Sequence, residues 1–165
     1  MYFRKVLWAI AILVFAFVLV NKAHAQTAES LSQVKKVFVN SLGTEEGATE
    51  LRDAMIKALR KNSDIQIVAS GSEADAVIMG KGKIWKTGSI RLGRGSYLQS
   101  VYDGYLQAEL KGKDDKTLWS QYVKPSSFPW NGIIGDLASH LVKNLMTALR
   151  QNRNVVQLFH LDFGV

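Results

Sequence analysis

The basic and aromatic side chains between residues 81 and 97 are the part of the chain whose types and spacing best suit ligand binding. The candidate residues are Lys81, Lys83, Trp85, Lys86, Arg91, Arg94 and Tyr97. Lys81, Lys83 and Trp85 alternate within one predicted strand, so they point to one face of a sheet. Cations beside aromatic rings bind phosphate or sugar-phosphate groups through charge-assisted hydrogen bonds and ring contacts. The alternative is a solvated face, because exposed strand lysines also discourage edge pairing.

A second aromatic group surrounds the only two prolines of the chain. Trp119, Phe128 and Trp130 lie close in sequence to Pro125 and Pro129. This group predicts either an exposed corner that docks a partner through Trp130, or aromatic core beneath a proline-containing loop. Both interpretations stay open at the level of sequence.

No pattern in the chain predicts catalysis. His140 and His160 have no nucleophile and orienting acid in a recognisable arrangement. Asp114 and Asp115 fall in a Lys-Asp-Asp-Lys segment, where aspartate is favoured by turn geometry. The metalloprotease, Walker and nucleophile-elbow motifs do not occur, and the chain has no cysteine. We therefore expect no enzyme activity, no catalytic residue, no cofactor and no metal site.

The first 25 residues have the layout of a secretory signal peptide. Arg4 and Lys5 precede an uninterrupted apolar run at 6–20, and a small-residue triplet at 23–25 precedes Gln26. The run is shorter than the roughly 20 residues that span a bilayer core. We predict cleavage before Gln26 and a periplasmic or secreted protein with at most peripheral membrane contact. An uncleaved membrane anchor is the alternative.

Composition sets the remaining limits. Removing the predicted leader from the 165 residues leaves 140, enough for one domain with a single core. The leader carries three of the 21 basic residues and none of the 14 acidic ones, so the remainder keeps a net charge of about +4. That excess is too small for a dedicated nucleic-acid binder, and we expect no nucleic-acid partner.

Hydrophobic periodicity predicts the order β-α-β-β-β-β-α, with a possible final strand in the apolar tail. The predicted strands are 34–40, 65–68, 76–85, 97–111 and 117–123. The first helix is expected to start at Thr44 as N-cap and to run to about Lys61. The second is expected to begin at Asn131 or Gly132 and to end at 150–154.

These elements predict an α/β fold of the α+β type. The expected architecture is a two-layer sandwich, in which two helices cover one face of a mostly antiparallel sheet of four to five strands. Residues 26–33 are predicted to be a flexible entry, and 34–165 a single domain. The glycine-containing segment 86–96 is predicted to be a mobile, positively charged connection between two strands.

Residues 34–85 carry motifs that resemble a family of envelope domains. The segments are VKKVFVNSLG, LRDAMIKALRKN, DIQIVAS and SEADAVIMGKGKIW. They resemble the α/β domain shared by the curli-secretion channel lipoprotein and the amino-terminal domain of the TolB translocation protein. In this interpretation Asp75 caps a turn before a strand, and Gly80 lets another backbone approach. The chain lacks the lipidated cysteine of the lipoprotein members, which argues against a membrane-anchored channel.

The resemblance implies an accessory domain of a Gram-negative-type cell envelope that acts through protein or polymer contacts. The sequence therefore predicts a non-enzymatic, exported accessory domain that contacts another envelope protein. The alternative is a binding module for an anionic envelope polymer, such as lipopolysaccharide, that uses the basic hairpin around residues 81–97.

Overall fold

The computed structural model describes residues 31–91, 98–126 and 132–162, which form a five-stranded sheet and two long helices. The elements are β1 (Lys36–Val39), α1 (Ala48–Leu59), β2 (Gln66–Ile67), β3 (Ala76–Arg91), β4 (Leu98–Gly112), β5 (Thr117–Val123) and α2 (Gly132–Asp162). A short 3₁₀ turn, Gly71–Glu73, connects β2 to β3. The predicted order and the α+β sandwich are confirmed. The predicted leader, residues 1–25, lies outside the described residues.

The sheet has the strand order β2-β1-β3-β4-β5 and mixed directions. β1 pairs in parallel with both β2 and β3, because α1 carries the chain back to the starting end of the sheet before β2 begins. β3, β4 and β5 follow one another as antiparallel neighbours. The two antiparallel pairs are much longer than the parallel ones, so most of the ladder is antiparallel, as expected.

Both helices bury their apolar stripes against the same face of the sheet, as their spacing predicts. The fully buried helical side chains are Leu51, Met55, Leu59, Leu137, Leu141, Leu145 and Leu149. They meet the inward strand residues Val37, Val39, Ile78, Leu106 and Leu110. Because the stripe repeats at helical spacing and the strand residues alternate, one face of each element can enter a shared core.

Glycines make two close approaches possible inside this sandwich. A Cβ atom at Gly80 would collide with the backbone carbonyl oxygen of Gln107 on β4, so this position confirms the predicted approach of another backbone. A Cβ atom at Gly82 would lie 2.6 Å from the Cδ1 atom of Leu51 on α1. Side chains at these positions would separate β3 from β4, or α1 from the sheet.

The sequence predicts that Asp75 caps a turn, but its side chain accepts hydrogen bonds from the start of β1 instead. Its carboxylate accepts hydrogen bonds from the backbone N–H groups of Lys35 at 3.1 Å and Lys36 at 2.8 Å. Its own N–H donates to the carbonyl oxygen of Lys36 at 2.9 Å. The Lys36 hydrogen bond, followed by that of Lys35 and the charge of Lys113, lowers the pKa of Asp75, and partial burial opposes the shift. Asp75 therefore joins the starts of β1 and β3.

The first helix starts later than predicted, and Thr44 is not its N-cap. The cap is Gly47, at φ 79°, with no side-chain hydrogen bond. The preceding segment follows β3 instead, because Gly82 N–H donates to the carbonyl oxygen of Leu42 at 3.0 Å and Ile84 N–H donates to that of Glu46 at 2.9 Å. These bonds hold residues 42–46 against β3, and the chain bends at 44–45 and turns at 46–47 before α1 begins.

Two other boundaries also differ from the sequence predictions. The 86–96 connection is shorter than expected, because residues up to Arg91 pair with β4 and a bulge between Lys86 and Gly88 absorbs the irregular spacing. α2 does not end at 150–154, and residues 155–162 form helix rather than a final strand. No Gly or Pro interrupts this stretch, and the Arg153 guanidinium donates to the carbonyls of Val34 and Asp64.

The packed part of the chain also begins before Val34. Leu31 is 4% exposed and belongs to the hydrophobic core. The predicted flexible entry at 26–33 is therefore wrong for its last residues, because an apolar side chain at 31 reaches the space beneath the helices.

Candidate functional site

Lys81, Lys83 and Trp85 share the outer face of β3, as their alternation predicts. Gly82 and Ile84, which lie between them, are buried on the helix side. The outer face has no helix layer among the described residues, so these side chains remain at least partly accessible to solvent. The row of three residues predicted from the sequence is therefore brought together on one open surface.

Lys83 differs from Lys81 because it has an acidic partner. Its ammonium lies 2.8 Å from a carboxylate oxygen of Glu45, in the segment before α1. The hydrogen bond and charge of Glu45 raise the pKa of Lys83, and the same pair lowers the pKa of Glu45. The charge of Lys83 is thus largely compensated within the chain, whereas Lys81 forms no ion pair with any described residue.

An aromatic strip that sequence analysis missed continues from Trp85 across the outer face. The ring centroids of Trp85 and Tyr105 are 6.5 Å apart, and those of Tyr105 and Tyr122 are 5.8 Å apart. The strip crosses β3, β4 and β5, and Tyr122 is 49% exposed. Alternation places each ring on a face, but only the strand register places the three side by side.

Beyond this strip, β3 and β4 form a hairpin arm, defined here as residues 85–91 and 98–103. The two segments pair with each other from Trp85 opposite Asp103 to Arg91 opposite Leu98. β1 and the 42–46 segment contact β3 only as far as Ile84, and the last pair between β5 and β4 involves Leu106. Within the described residues, the arm therefore extends past every other strand as a two-stranded ribbon.

The arm exposes apolar side chains that continue the core-facing pattern of β4. Leu110, Ala108 and Leu106 are buried beneath the helices. Two further members of the same alternation, Tyr102 and Leu98, are 49% and 66% exposed. The apolar stripe of β4 thus continues beyond the part of the strand that the helices cover. Ile90, on the opposite strand, is 50% exposed.

The remaining predicted site residues are only partly described. Lys86 is exposed and pairs in register with Tyr102 in the arm. Arg91 is the last described residue of β3. Arg94, Tyr97, Phe128 and Trp130 lie outside the described residues, and Trp119 packs partly buried against the core. The structure brings together Lys81, Lys83 and Trp85 on one face of β3, whereas Lys86 points to the opposite face.

The described parts of the chain hold no candidate metal site. No three His, Asp or Glu side chains among residues 31–91, 98–126 and 132–162 lie close enough to hold a metal ion. His140 is exposed on α2. In the same ranges, no helix combines the length and apolar character required to cross a membrane.

No protein-family model matches the chain, and no curated protein matches it. Among solved structures, the PelC dodecamer from Paraburkholderia phytofirmans is 18% identical with a TM-score of 0.45, over 70% of this chain and 88% of that chain. A homolog of neuraminyllactose-binding hemagglutinin from Helicobacter pylori is 11% identical with a TM-score of 0.42, over 74% of this chain and 86% of that chain. At this level of similarity the chain is assigned to no family.

Proposed function

We propose that this chain is a non-enzymatic accessory domain of the cell envelope that binds another protein through its hairpin arm. The observation that carries the proposal is the uncovered apolar stripe at Leu98 and Tyr102. The envelope location rests on the signal peptide predicted at 1–25 and on the resemblance of residues 34–85 to envelope domains.

The physical argument starts from the instability of an isolated ribbon. A two-stranded hairpin in water is marginally stable at best, and no other described strand pairs with either outer edge of the arm. Burying one large apolar side chain stabilises a complex by roughly 1.5–3 kcal/mol, so covering Leu98 and Tyr102 offers a substantial gain. A protein partner supplies both an apolar surface and a strand that can extend the ribbon.

Site-specific photocrosslinking in the exporting cell tests this proposal. A photoreactive residue at Leu98 should form an adduct with one discrete envelope protein. The matched control is Gln99, which neighbours Leu98 but points to the opposite face of β4. Tyr102→Ser should weaken the Leu98 adduct, whereas Ile90→Ser, which pairs with Gln99 on the opposite face of the arm, should leave it unchanged.

An adduct at Leu98 with no adduct at Gln99 supports a docking face, and its mass separates a different protein from a second copy of the chain. Equal crosslinking at both positions, or none at Leu98, contradicts the proposal. Circular dichroism of the Tyr102→Ser variant must match the parent, because an unfolded variant would also lose the adduct.

Binding to an anionic envelope polymer is the second candidate, and the outer sheet face favours it. Lys81 is exposed and forms no ion pair with any described residue. The Trp85–Tyr105–Tyr122 strip lies on the same face and offers ring surfaces to sugar units. Lys86 pairs with Tyr102 and therefore points to the opposite face. Lys83 contributes less than the sequence predicted, because Glu45 compensates its charge.

Salt dependence separates the two candidates. Binding of purified lipopolysaccharide through Lys81 should weaken as salt rises, because exposed charges are screened. Lys81→Gln should reduce that binding, whereas Lys86→Gln, an exposed cation of β3 that points to the opposite face, should not. Binding that changes with neither salt nor Lys81→Gln contradicts the polymer hypothesis.

A further inference from the structure

A groove at the β2 edge of the sheet has a composition that suits a ligand. It lies between α1 and the carboxyl ends of the parallel strands β1 and β2, and its volume is about 560 Å³. Ile56 and Ile67 give it apolar walls, and both are only partly buried. Small-molecule sites have volumes of roughly 300–1,000 Å³ and mostly apolar linings, so this groove is of suitable size.

One cation of the groove is fixed in place by the fold. The Nε and Nη2 atoms of Arg52 donate to the carbonyl oxygen of Val39 at 3.1 and 3.0 Å. Its Nη1 atom lies 3.6 Å from a carboxylate oxygen of Asp53. A guanidinium has five N–H donors, so donors on both terminal nitrogens remain for a ligand. Because Arg52 is already held, a ligand that binds its guanidinium causes little further loss of side-chain entropy.

Two further cations extend the positive charge along the same side of α1. Lys57 and Arg60 line the groove, and neither forms an ion pair or side-chain hydrogen bond with any described residue. Arg52, Ile56 and Arg60 recur every four residues, which places them on one helix face. Asp53 is the only acidic residue of the lining, so the groove carries three cations against one carboxylate.

We propose that this groove binds a small organic anion with a compact apolar body and a carboxylate or phosphate group. The apolar part packs against Ile56 and Ile67, and the anionic group accepts hydrogen bonds from Arg52, Lys57 and Arg60. Arginine suits both anion types because its planar donors match two oxygens at once.

The position of Arg52 also argues against an added peptide strand. The pairing of β1 with β2 ends at Val37. The next carbonyl of β1 that points toward the β2 edge is that of Val39, and it already accepts hydrogen bonds from Arg52. A strand entering the groove would need this carbonyl to continue the ladder. A small molecule does not need the Val39 carbonyl in order to bind.

Amide NMR titration of the folded chain with benzoate, phenyl phosphate and the neutral probe benzyl alcohol tests the proposal. Benzoate or phenyl phosphate should shift the resonances of Phe38, Ile67 and the Arg52 Nε–H, and the tighter of the two identifies the anion. Benzyl alcohol should shift them far less. Absence of shifts with both anions, or equal binding of the neutral probe, overturns the proposal.

Charge variants locate the interaction. Lys57→Gln and Arg60→Gln should each weaken binding of the preferred anion about tenfold, the effect expected from losing one charge-assisted hydrogen bond. Lys61→Gln is the matched control, because Lys61 is an exposed cation next to Arg60 and does not line the groove. An equal loss with Lys61→Gln would show a diffuse charge effect and contradict a defined site.

The groove is independent of the hairpin arm, and the test keeps them separate. The Tyr102→Ser variant should bind the anion like the parent, because the arm and the groove share no residue. Failure of anion binding with normal photocrosslinking at Leu98 would overturn only the groove site, and the opposite result would overturn only the docking face.

Discussion

Single charged residues of this domain act mainly by joining distant parts of the backbone. Asp75 joins the starts of β1 and β3, Arg52 occupies the open carbonyl of Val39, and Arg153 connects α2 to Val34. Each side chain satisfies backbone groups that have no strand or helix partner at that point. Their contribution is therefore structural, although Arg52 also faces the groove.

Replacing Asp75 with Asn should lower the free energy of unfolding by about 1 kcal/mol at neutral pH. The neutral amide accepts the two backbone hydrogen bonds more weakly than the carboxylate does, and the partly exposed site limits the loss. Urea unfolding monitored by circular dichroism measures it. Glu73→Gln, an exposed substitution nearby, is the control and should change little.

The same substitution should alter the acid sensitivity of the domain. The pKa of Asp75 is lowered in the fold, so its stabilisation is present above the ordinary value of 3.8 and is lost as pH falls through the lower, folded pKa. The parent and Asp75→Asn should therefore converge in stability at acidic pH. A constant difference across that range would contradict this role.

The β3–β4 pair has a tightly packed half and an exposed half. Its inner half is packed tightly, with Gly80 against the backbone of β4 and Gly82 against Leu51. Its outer half is the hairpin arm, where a Cβ atom at Gly88 would have no heavy atom within 4 Å. One pair of strands therefore serves both as core and as an exposed surface.

Matched glycine substitutions should separate these two halves. Gly80→Ala should destabilise the domain by about 1–3 kcal/mol, because the added methyl group forces β3 and β4 apart. Gly88→Ala should change stability by less than about 0.5 kcal/mol, because its site is open. Denaturant unfolding of both variants provides the comparison. Equal effects would contradict the tight register at Gly80.

At the scale of the whole molecule, one helix-covered core supports two separate open surfaces. The hairpin arm and the outer aromatic strip lie on β3–β5, whereas the groove lies at the edge formed by α1, β1 and β2. This separation allows a protein contact and a small ligand to be bound at the same time. It also allows each proposal to be tested without disturbing the other.

Export should release a chain that begins at Gln26. The charged start, the apolar run at 6–20 and the small residues at 23–25 predict cleavage at that point. Intact-mass measurement of the exported protein should give the mass of residues 26–165, with or without cyclisation of the terminal glutamine. Recovery of the full-length chain in the membrane fraction would support an anchor instead.

The sequence by itself determined the order of elements and the residues that face the core. Leu51, Met55 and Leu141 recur at helical spacing, and Lys81 and Trp85 alternate with buried neighbours, so local periodicity was sufficient. Local periodicity predicted the wrong helix boundaries where contacts with distant segments override local preference. Residues 42–46 follow β3 instead of starting α1, and α2 continues past 150–154.

Only the tertiary structure decided which of these residues form surfaces that can bind. The charge of Lys83 is paired with that of Glu45, a residue of another segment, and this pairing has no local sequence signal. The aromatic strip depends on the register of three strands, and the exposure of Leu98 and Tyr102 depends on where the helices stop covering β4. Such features arise from contacts between segments that are far apart in sequence, and local periodicity does not encode them.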